Sequence, residues 1–362
     1  MTNRHTPAKE RGDVAVTERL STLDRLLPLW IGLAMATGIV LGRVFKGLDE
    51  TLERIKVDNV SLPIAIGLLA MMYPVLAKVK YRSMGRVLSD RTSLVLSLVL
   101  NWIIGPALMF ALAWIFLPDL PEYRTGLIIV GLARCIAMVL IWNDLACGDR
   151  ELAAVLVAVN SVFQIVAYSL LGYFYLELLP GWLGLDSEGI DVTVWQIAKS
   201  VLIFLGIPLL AGWLTRIIGE RAKGVEWYEQ KFLPRIGPVA LYGLLFTIVI
   251  LFALQGDRIT NQPFDVARIA LPLLVYFALM WFGAFFVGLR RSIPYEQNAS
   301  IAFTAAGNNF ELAIAVAIGV FGVSSGQALA GVVGPLIEVP VLVGLVYVAL
   351  WARKRFYPGD VA

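Results

Sequence analysis

Residues 298–321 form an apolar run with a polar centre and read Asn-Ala-Ser-Ile-Ala-Phe-Thr-Ala-Ala-Gly-Asn-Asn-Phe-Glu-Leu-Ala-Ile-Ala-Val-Ala-Ile-Gly-Val-Phe. The run is long enough for a helix to cross a bilayer, which takes roughly 20 residues. Its centre holds Gly307, Asn308 and Asn309, which disfavour a helix, and Glu311, which is costly at membrane depth. Unwound backbone in a bilayer is tolerated only where protein or a water-filled cavity receives its polar groups. The run therefore predicts an interrupted membrane helix beside an internal site.

The composition of the whole chain agrees with a lipid environment. Of 362 residues, 59% are hydrophobic and only 16% are charged, with a mean hydropathy of +0.77. Soluble domains have about 45–50% apolar and about 25% charged residues. This excludes a soluble enzyme, a nucleic-acid binder and a disordered scaffold. The one histidine, His5, lies in a polar N-terminal tail, so we expect no histidine-based catalysis or metal site in the membrane, and two cysteines make no disulfide framework.

Continuous apolar stretches recur along the chain and predict an all-α integral membrane protein with ten transmembrane helices. Alternating segments of about ten residues, which would indicate a membrane barrel, are lacking. The stretches lie at about 26–44, 62–79, 93–117, 126–145, 151–179, 193–215, 237–254, 267–289, 298–321 and 326–351.

The charges between these stretches predict the orientation. The N-terminal tail, the loops between stretches two and three, six and seven, and eight and nine, and residues 353–355 are basic, whereas the loop after stretch five carries Asp186, Glu188 and Asp191. Positive charge marks the cytoplasmic side. We therefore expect both termini in the cytoplasm.

Ten helices divide into two halves of five, and an odd number makes the second half an inverted copy of the first. An offset of 177 residues places Arg134 opposite Glu311. We therefore predict two inverted five-helix repeats with discontinuous helices four and nine. The expected parts are a cytoplasmic tail at 1–25, repeats at 26–180 and 181–351, and a cytoplasmic tail at 352–362.

Polar residues in the other stretches point to the same central site. Stretch four carries Arg134, stretch five carries Asn160, and stretch ten carries Glu338 beside Gly334–Pro335 and Pro340, which we expect to interrupt that helix as well. Interrupted helices with charges in both halves indicate a transport site at the membrane midplane.

Simpler interpretations stay open for several of these residues. Arg134 and Glu311 could neutralise each other as a structural pair, and Glu338 could stabilise an unwound turn. Trp142 lies toward the cytoplasmic interface, where tryptophan is more often an anchor than a ligand. Cys147 reads as a small buried apolar residue. Cys135 differs because it directly follows an arginine, and a nearby positive charge favours the thiolate.

Three motifs resemble those of the arsenical-resistance efflux permeases, which belong to the bile/arsenite/riboflavin transporter superfamily. They are Ala-Arg-Cys-Ile-Ala-Met-Val-Leu-Ile-Trp-Asn-Asp at 133–144, Asn-Asn-Phe-Glu-Leu-Ala-Ile-Ala-Val-Ala at 308–317 and Gly-Pro-Leu-Ile-Glu-Val-Pro-Val-Leu at 334–342. The resemblance covers the whole ten-span body. It implies export of trivalent arsenic, in some members also antimony, from the cytoplasm across the plasma (inner) membrane. It also implies substrate-binding roles for Cys135 with Arg134, Trp142, Asn160 and Glu338, and a functional role for Glu311.

The chemistry of the substrate is compatible with these residues. Arsenous acid is a small neutral hydroxide with a soft centre, and soft centres prefer sulfur. We expect Cys135 to be its thiolate ligand, with Asn308 and Asn309 and a carboxylate as hydrogen-bonding groups. Because the substrate is neutral, a titratable group such as Glu311 must couple its transport to protons. We expect no cofactor. The chain has no GxxxxGK[ST] motif, so use of ATP would require a separate ATPase subunit. Association with such a subunit, or into a homo-oligomer, stays open.

Two other classes of protein are alternatives. A sodium-coupled organic-anion symporter could use the oxygens of Asn308, Asn309 and Glu311, but such a site gives no role to Arg134 and Cys135. An intramembrane enzyme with Cys135 as nucleophile would lack a histidine base. We therefore expect a transporter rather than an enzyme. The sequence does not indicate whether arsenite or antimonite is preferred, how many protons are coupled to each substrate, or what the oligomeric state is.

Overall fold

The computed structural model describes residues 26–45, 56–57, 60–79, 91–136, 138–185, 193–261 and 263–358. Helices make up nearly all of this part of the chain. They are α1 (Leu27–Val44), α2 (Leu62–Ala77), α3 (91–116), α4 (Pro121–Leu132), α5 (Met138–Leu145), α6 (Arg150–Leu183), α7 (Val194–Lys223), α8 (225–261), α9 (Pro263–Arg290), α10 (Tyr295–Ala306), α11 (Phe310–Phe321) and α12 (Gly326–Phe356). A small antiparallel hairpin pairs β1 (Lys56–Val57) with β2 (Val60–Ser61).

Six helical stretches of the described chain are long and apolar enough to cross a membrane: Thr92–Phe116, Arg150–Leu183, Val194–Lys223, Val225–Leu254, Ala267–Arg290 and Gly326–Phe356. Leu29–Val44, Leu62–Ala77 and Phe310–Phe321 are apolar but shorter. The integral membrane fold expected from the composition is therefore confirmed. Several of the long stretches pass through a π-helical turn, for example at Leu100–Ile104 and Leu202–Gly206.

Two helices are interrupted, at the positions expected in stretches four and nine. The backbone leaves the helix after Leu132 and returns to it at Met138, and it leaves again after Ala306 and returns at Phe310. Gly307 is extended, with φ −71° and ψ 144°. Asn309 then starts α11 as its N-cap, because its side-chain oxygen accepts a hydrogen bond from the Leu312 N–H at 3.0 Å.

The expected interruption of stretch ten is wrong. The helix α12 runs without a break from Gly326 to Phe356, and both Pro335 and Pro340 lie inside it. A proline removes only its own N–H and disturbs one turn, and a long helix can continue past it when its neighbours hold it on both sides. Here α4, α9 and α11 all pack against α12.

The helices fall into two packed groups. One consists of α1, α2 and α8, with the second half of α7 packed against α2. The other surrounds α10, α11 and the first half of α12, which are almost entirely buried. Glycines allow close approach in the first group: a Cβ at Gly42 would collide with the Ala253 carbonyl of α8, and a Cβ at Gly243 would lie 2.8 Å from the Gly67 oxygen.

Some predicted features lie outside the described residues. They include the N-terminal tail 1–25 with His5 and the acidic residues Asp186, Glu188 and Asp191. At the other end, α12 continues to Phe356, so the first residues of the predicted C-terminal tail are helical.

Candidate functional site at the crossing of two interrupted helices

The two interruptions cross each other and share backbone hydrogen bonds. Arg134 and Asn308 form an isolated antiparallel β-bridge. The Cys135 N–H donates to the Gly307 carbonyl at 3.3 Å, and the Asn309 N–H donates to the Ala133 carbonyl at 3.0 Å. Each break therefore supplies partners for polar backbone groups that the other has released, which is the condition for unwound backbone inside a membrane.

Arg134 is fully buried at this crossing. One terminal nitrogen donates to the Tyr276 hydroxyl at 2.8 Å, the other donates to the Gly131 carbonyl, and its backbone N–H donates to Gln164 Oε1 at 3.0 Å. Within the described residues no carboxylate lies within ion-pairing distance of it, so the structure does not form the Arg134–Glu311 pair considered from the sequence.

Cys135 is buried against the second interruption. A Cβ at Gly307 would lie 2.9 Å from the Cys135 Cβ and 3.4 Å from its sulfur, so only glycine leaves room there. The sulfur accepts a hydrogen bond from the Val139 N–H at 3.3 Å, in the first turn of α5. Neither Cys135 nor the partly exposed Cys147 is in a disulfide.

Asn308 and Asn309 are both buried but have different roles. The amide of Asn308 donates to the carbonyls of Val130, at 2.8 Å, and Ala133, at 3.3 Å, and its backbone N–H donates to Glu338 Oε1 at 3.4 Å. Asn308 thus joins the two interruptions to α12. Asn309 caps α11, and its amide nitrogen has no hydrogen-bond partner among the described residues.

A cavity of about 230 Å³ lies beside the crossing and contains both expected carboxylates. Glu338 is buried, whereas Glu311 is partly exposed. The wall is completed by α2, α5, α8 and α12, and it includes Lys78, Ile136, Met138, Leu241, Phe310 and Pro335. Arg134 and Cys135 do not line this cavity, although the next residue, Ile136, does.

Trp142 and Asn160 lie apart from that cavity. Trp142 is only 1% exposed, which argues against the interfacial anchor considered from the sequence, and its indole N–H has no partner among the described residues. The Asn160 side-chain oxygen accepts from Trp102 Nε1 at 3.2 Å, and its backbone carbonyl accepts from Gln164 Nε2 at 3.1 Å. Asn160 thereby reaches the crossing through Gln164.

Sequence reasoning missed three residues of this region. Gln164 is a polar side chain in an apolar stretch, so it carried the same signal as Asn160. Tyr276 sits in an ordinary apolar run 142 residues from its partner Arg134, and no local pattern indicates it. Lys78 lies in the basic loop between stretches two and three, which indicated only the orientation, yet it shares a cavity with Glu311 and Glu338.

The arrangement offers one thiol, several amides and two carboxylates in a small volume. No group of three or more His, Cys, Asp or Glu residues that could hold a metal ion occurs in the part of the chain that the structure describes. A single sulfur with hydrogen-bonding neighbours can hold a soft, neutral solute while still allowing its release.

Comparison with known proteins gives matches along most of the chain. The model of the sodium bile acid symporter family matches residues 65–262, more than half of the chain. The arsenical-resistance protein Acr3 of Corynebacterium glutamicum is 60% identical over 342 residues, covering 94% of this chain and 92% of the relative. The chain belongs to the arsenical-resistance permease family. A second Acr3, from Alkaliphilus metalliredigens, is 32% identical over 92% of this chain and 94% of its own length.

A third relative of this permease is an uncharacterized transporter of Synechocystis, which is 37% identical over 90% of the chain and 88% of its own length. Since the matches span nearly the full length of these proteins and the helices are apolar enough to cross a membrane, the permease is a multi-pass membrane transporter.

Proposed function

We propose that the permease exports trivalent arsenic, as arsenite and also antimonite, from the cytoplasm by proton antiport and so confers arsenic resistance. The names of its relatives support the substrate. The observation that carries the proposal is the position of Cys135, which lies against Gly307 at the crossing and one residue from the wall of the carboxylate cavity.

In this mechanism the Cys135 sulfur forms a bond to arsenic. The thiol proton leaves with one hydroxyl of arsenous acid as water, and the reverse reaction with water releases the substrate. The amide nitrogen of Asn309, which has no partner in the part of the chain that the structure describes, is available to hydrogen-bond a remaining hydroxyl. A single sulfur ligand keeps this binding weak enough for turnover.

Glu311 is the proposed proton carrier. Glu311 and Glu338 both line the cavity, and neither makes an ion pair within the described residues. Glu338 is buried and accepts a hydrogen bond from the Asn308 N–H, whereas Glu311 is partly exposed and therefore more accessible to protons. Proton binding to Glu311 on one side of the membrane and loss on the other would couple the proton gradient to a neutral substrate. Arg134, Trp142 and Asn160 position the crossing around this exchange.

The proposed architecture is ten spans in two inverted five-helix repeats, 26–180 and 181–351, with both termini in the cytoplasm of the plasma membrane. The pairing of one interrupted helix from each repeat supports it. A reporter tag after Ala362 and one in the loop around Arg221 should be cytoplasmic, whereas a tag near Asp186 should be external. An external C-terminus would contradict the ten-span count.

The transport proposal is tested in everted membrane vesicles. We expect arsenite uptake when a pH gradient is imposed, with or without sodium, and loss of that uptake in Glu311→Gln. Glu296→Gln is the matched control, because Glu296 is an exposed carboxylate in the first turn of α10. Uptake that requires sodium and ignores the pH gradient would instead favour the organic-anion symporter mechanism. Retention of pH-driven uptake in Glu311→Gln would exclude Glu311 as the carrier.

A further inference from the structure

A groove of about 500 Å³ runs along the outside of the molecule where α7 ends and α8 begins. Its floor is the last part of α7, with Leu214, Ile218 and Ala222 about one turn apart, and its far wall is formed by Trp227 and Phe232. Lys223 lines the same groove at the end of α7. The groove is separate from the carboxylate cavity, and no residue lines both.

The depth of the groove is fixed by the helix that forms its floor. The stretch Val194–Lys223 has 30 residues, which as a helix measure about 45 Å and exceed the hydrocarbon core of about 30 Å, so a helix centred in the bilayer carries its last turn into the headgroup region. Trp227 stacks on Phe232, with ring centroids 5.6 Å apart, and the Lys223 ammonium lies 4.6 Å from the centre of the Trp227 ring. Tryptophan and lysine are the residues that anchor a helix at this boundary.

The charge at this boundary is positive once the internal ion pairs are taken into account. Buried Arg216 donates to Glu220 at 2.8 Å and to Glu229 at 2.9 Å, so its charge offsets one of these two acids. Around the groove, Lys223 is exposed together with Arg221 and Lys231, which adjoin lining residues in the sequence, and Glu226 is an exposed acid. These three cations outnumber Glu226 and the one acid charge that Arg216 does not offset.

We propose that this groove binds an anionic phospholipid of the leaflet at the basic end of the protein. An acyl chain lies along Leu214, Ile218 and Ala222, and the phosphate pairs with Lys223. The sequence of side chains from the membrane interior outward supports a lipid. Several turns of apolar side chains form the floor, and they are followed by the aromatic ring of Trp227 and then by cations. Basic pockets between helices on this side of a membrane recognise acidic headgroups.

The floor of the groove is bonded to the helix that forms part of the carboxylate cavity. Tyr73 on α2 donates to the Thr215 hydroxyl at 3.0 Å, and Arg216 donates to the Lys78 carbonyl at 3.1 Å. Lys78 lines the cavity that holds Glu311 and Glu338. A bound lipid therefore stabilises the contact between α7 and α2.

The test uses the full-length protein purified in a mild detergent, with dioleoylphosphatidylglycerol, dioleoylphosphatidylcholine and inorganic phosphate titrated in separate arms. The readouts are the unfolding temperature and bound lipid counted by native mass spectrometry. We expect phosphatidylglycerol alone to raise the unfolding temperature and to remain bound. Lys223→Gln should raise the half-saturating lipid concentration about fivefold, the factor for one basic side chain near an anionic headgroup.

Two further variants complete the design. Ala222→Trp fills the groove at an exposed position and should abolish the lipid-dependent shift. Arg291→Gln removes an exposed cation at the basic end but outside the groove lining, and should leave the titration unchanged. If Ala222→Trp does not fold, the comparison of Lys223→Gln with Arg291→Gln decides.

Three outcomes would overturn the proposal. Equal responses to both lipids would remove the charge requirement, and a shift reproduced by inorganic phosphate would show a simple anion site. A change of oligomeric state in Ala222→Trp, with no effect on lipid binding, would show that a second copy of the chain covers the groove.

Discussion

The α10–α11 pair and α12 behave in opposite ways. The former contains no proline between Tyr295 and Phe321 and is interrupted at Gly307, while α12 contains Pro335 and Pro340 and is continuous. The difference lies in the partners available to the backbone. At the break between α10 and α11, the Asn309 N–H donates to the Ala133 carbonyl, and the Gly307 carbonyl accepts from the Cys135 N–H. A membrane helix thus breaks where a neighbour satisfies the released groups, and helix-breaking composition alone is insufficient.

The largest expected effect concerns the sulfur that the interruption positions. Cys135→Ser keeps nearly the same volume and hydrogen bonding, but oxygen does not replace sulfur toward a soft centre. We expect arsenite efflux to fall to the level of cells without the transporter. Efflux is measured at matched expression, with Cys147→Ser as the control that stays near wild type. Full efflux in Cys135→Ser would exclude an arsenic–sulfur bond from the mechanism, so the substrate would be recognised only through its hydroxyl groups.

A smaller effect is expected from the hydrogen bonds that hold the crossing together. Asn308→Ser removes two donors to buried carbonyls, which should lower the free energy of unfolding by about 1–3 kcal/mol. Asn309→Ser keeps a side-chain oxygen that can cap α11 and removes an amide nitrogen that has no partner among the described residues, so it should cost only about a few tenths of a kcal/mol. The free energies of unfolding of the two variants are compared in detergent. Equal decreases would contradict the different roles of Asn308, which joins the two interruptions, and Asn309, which caps α11.

The continuous helix should tolerate loss of a proline. Pro340 is exposed on α12, and Pro340→Ala restores an N–H that helix geometry can use, so transport should stay near wild type and stability should not fall. Gly307→Ala, by contrast, puts a methyl group against Cys135 and should impair both. Efflux and unfolding measured side by side check this, and a severe defect in Pro340→Ala would show that α12 depends on its proline.

The smallest effect should come from an ion pair outside both helices. Arg268 donates to both oxygens of Asp119, at 2.5 and 2.8 Å, and these bonds lower the pKa of Asp119 from 3.8 to about 2. Because the pKa is depressed in the folded protein, the stabilisation is present above about pH 4 and is lost as the pH falls through about 2. Unfolding of Asp119→Asn and wild type should differ slightly at pH 7 and converge near pH 2. A difference that grows toward low pH would contradict this sign.

The sequence predicted the elements whose physics is local. Gly307 with its two asparagines indicated a break because the composition of one turn is sufficient to disfavour a helix at membrane depth. The error at Pro335 and Pro340 arose because continuity depends on neighbours that are distant in the chain. Tyr276, the phenol beside Arg134, could not be found for the same reason, since it occupies an apolar run like any other. Glu311 and Glu338 could be identified from the sequence because charged residues are rare in apolar stretches. That they line one cavity could be seen only in the folded structure.

The crossing also has a consequence for biosynthesis. The Asn308 amide binds the Ala133 carbonyl, and the two residues are 175 positions apart. At a synthesis rate of about 5–20 residues per second, the ribosome takes on the order of 10–35 s to make the intervening chain. During this interval Arg134 and the unwound backbone beside it have left the ribosome, while Gly307, Asn308 and Asn309, whose backbone pairs with it, have not yet been synthesised. Water, lipid headgroups or the insertion machinery must satisfy them until the second half of the nascent chain arrives.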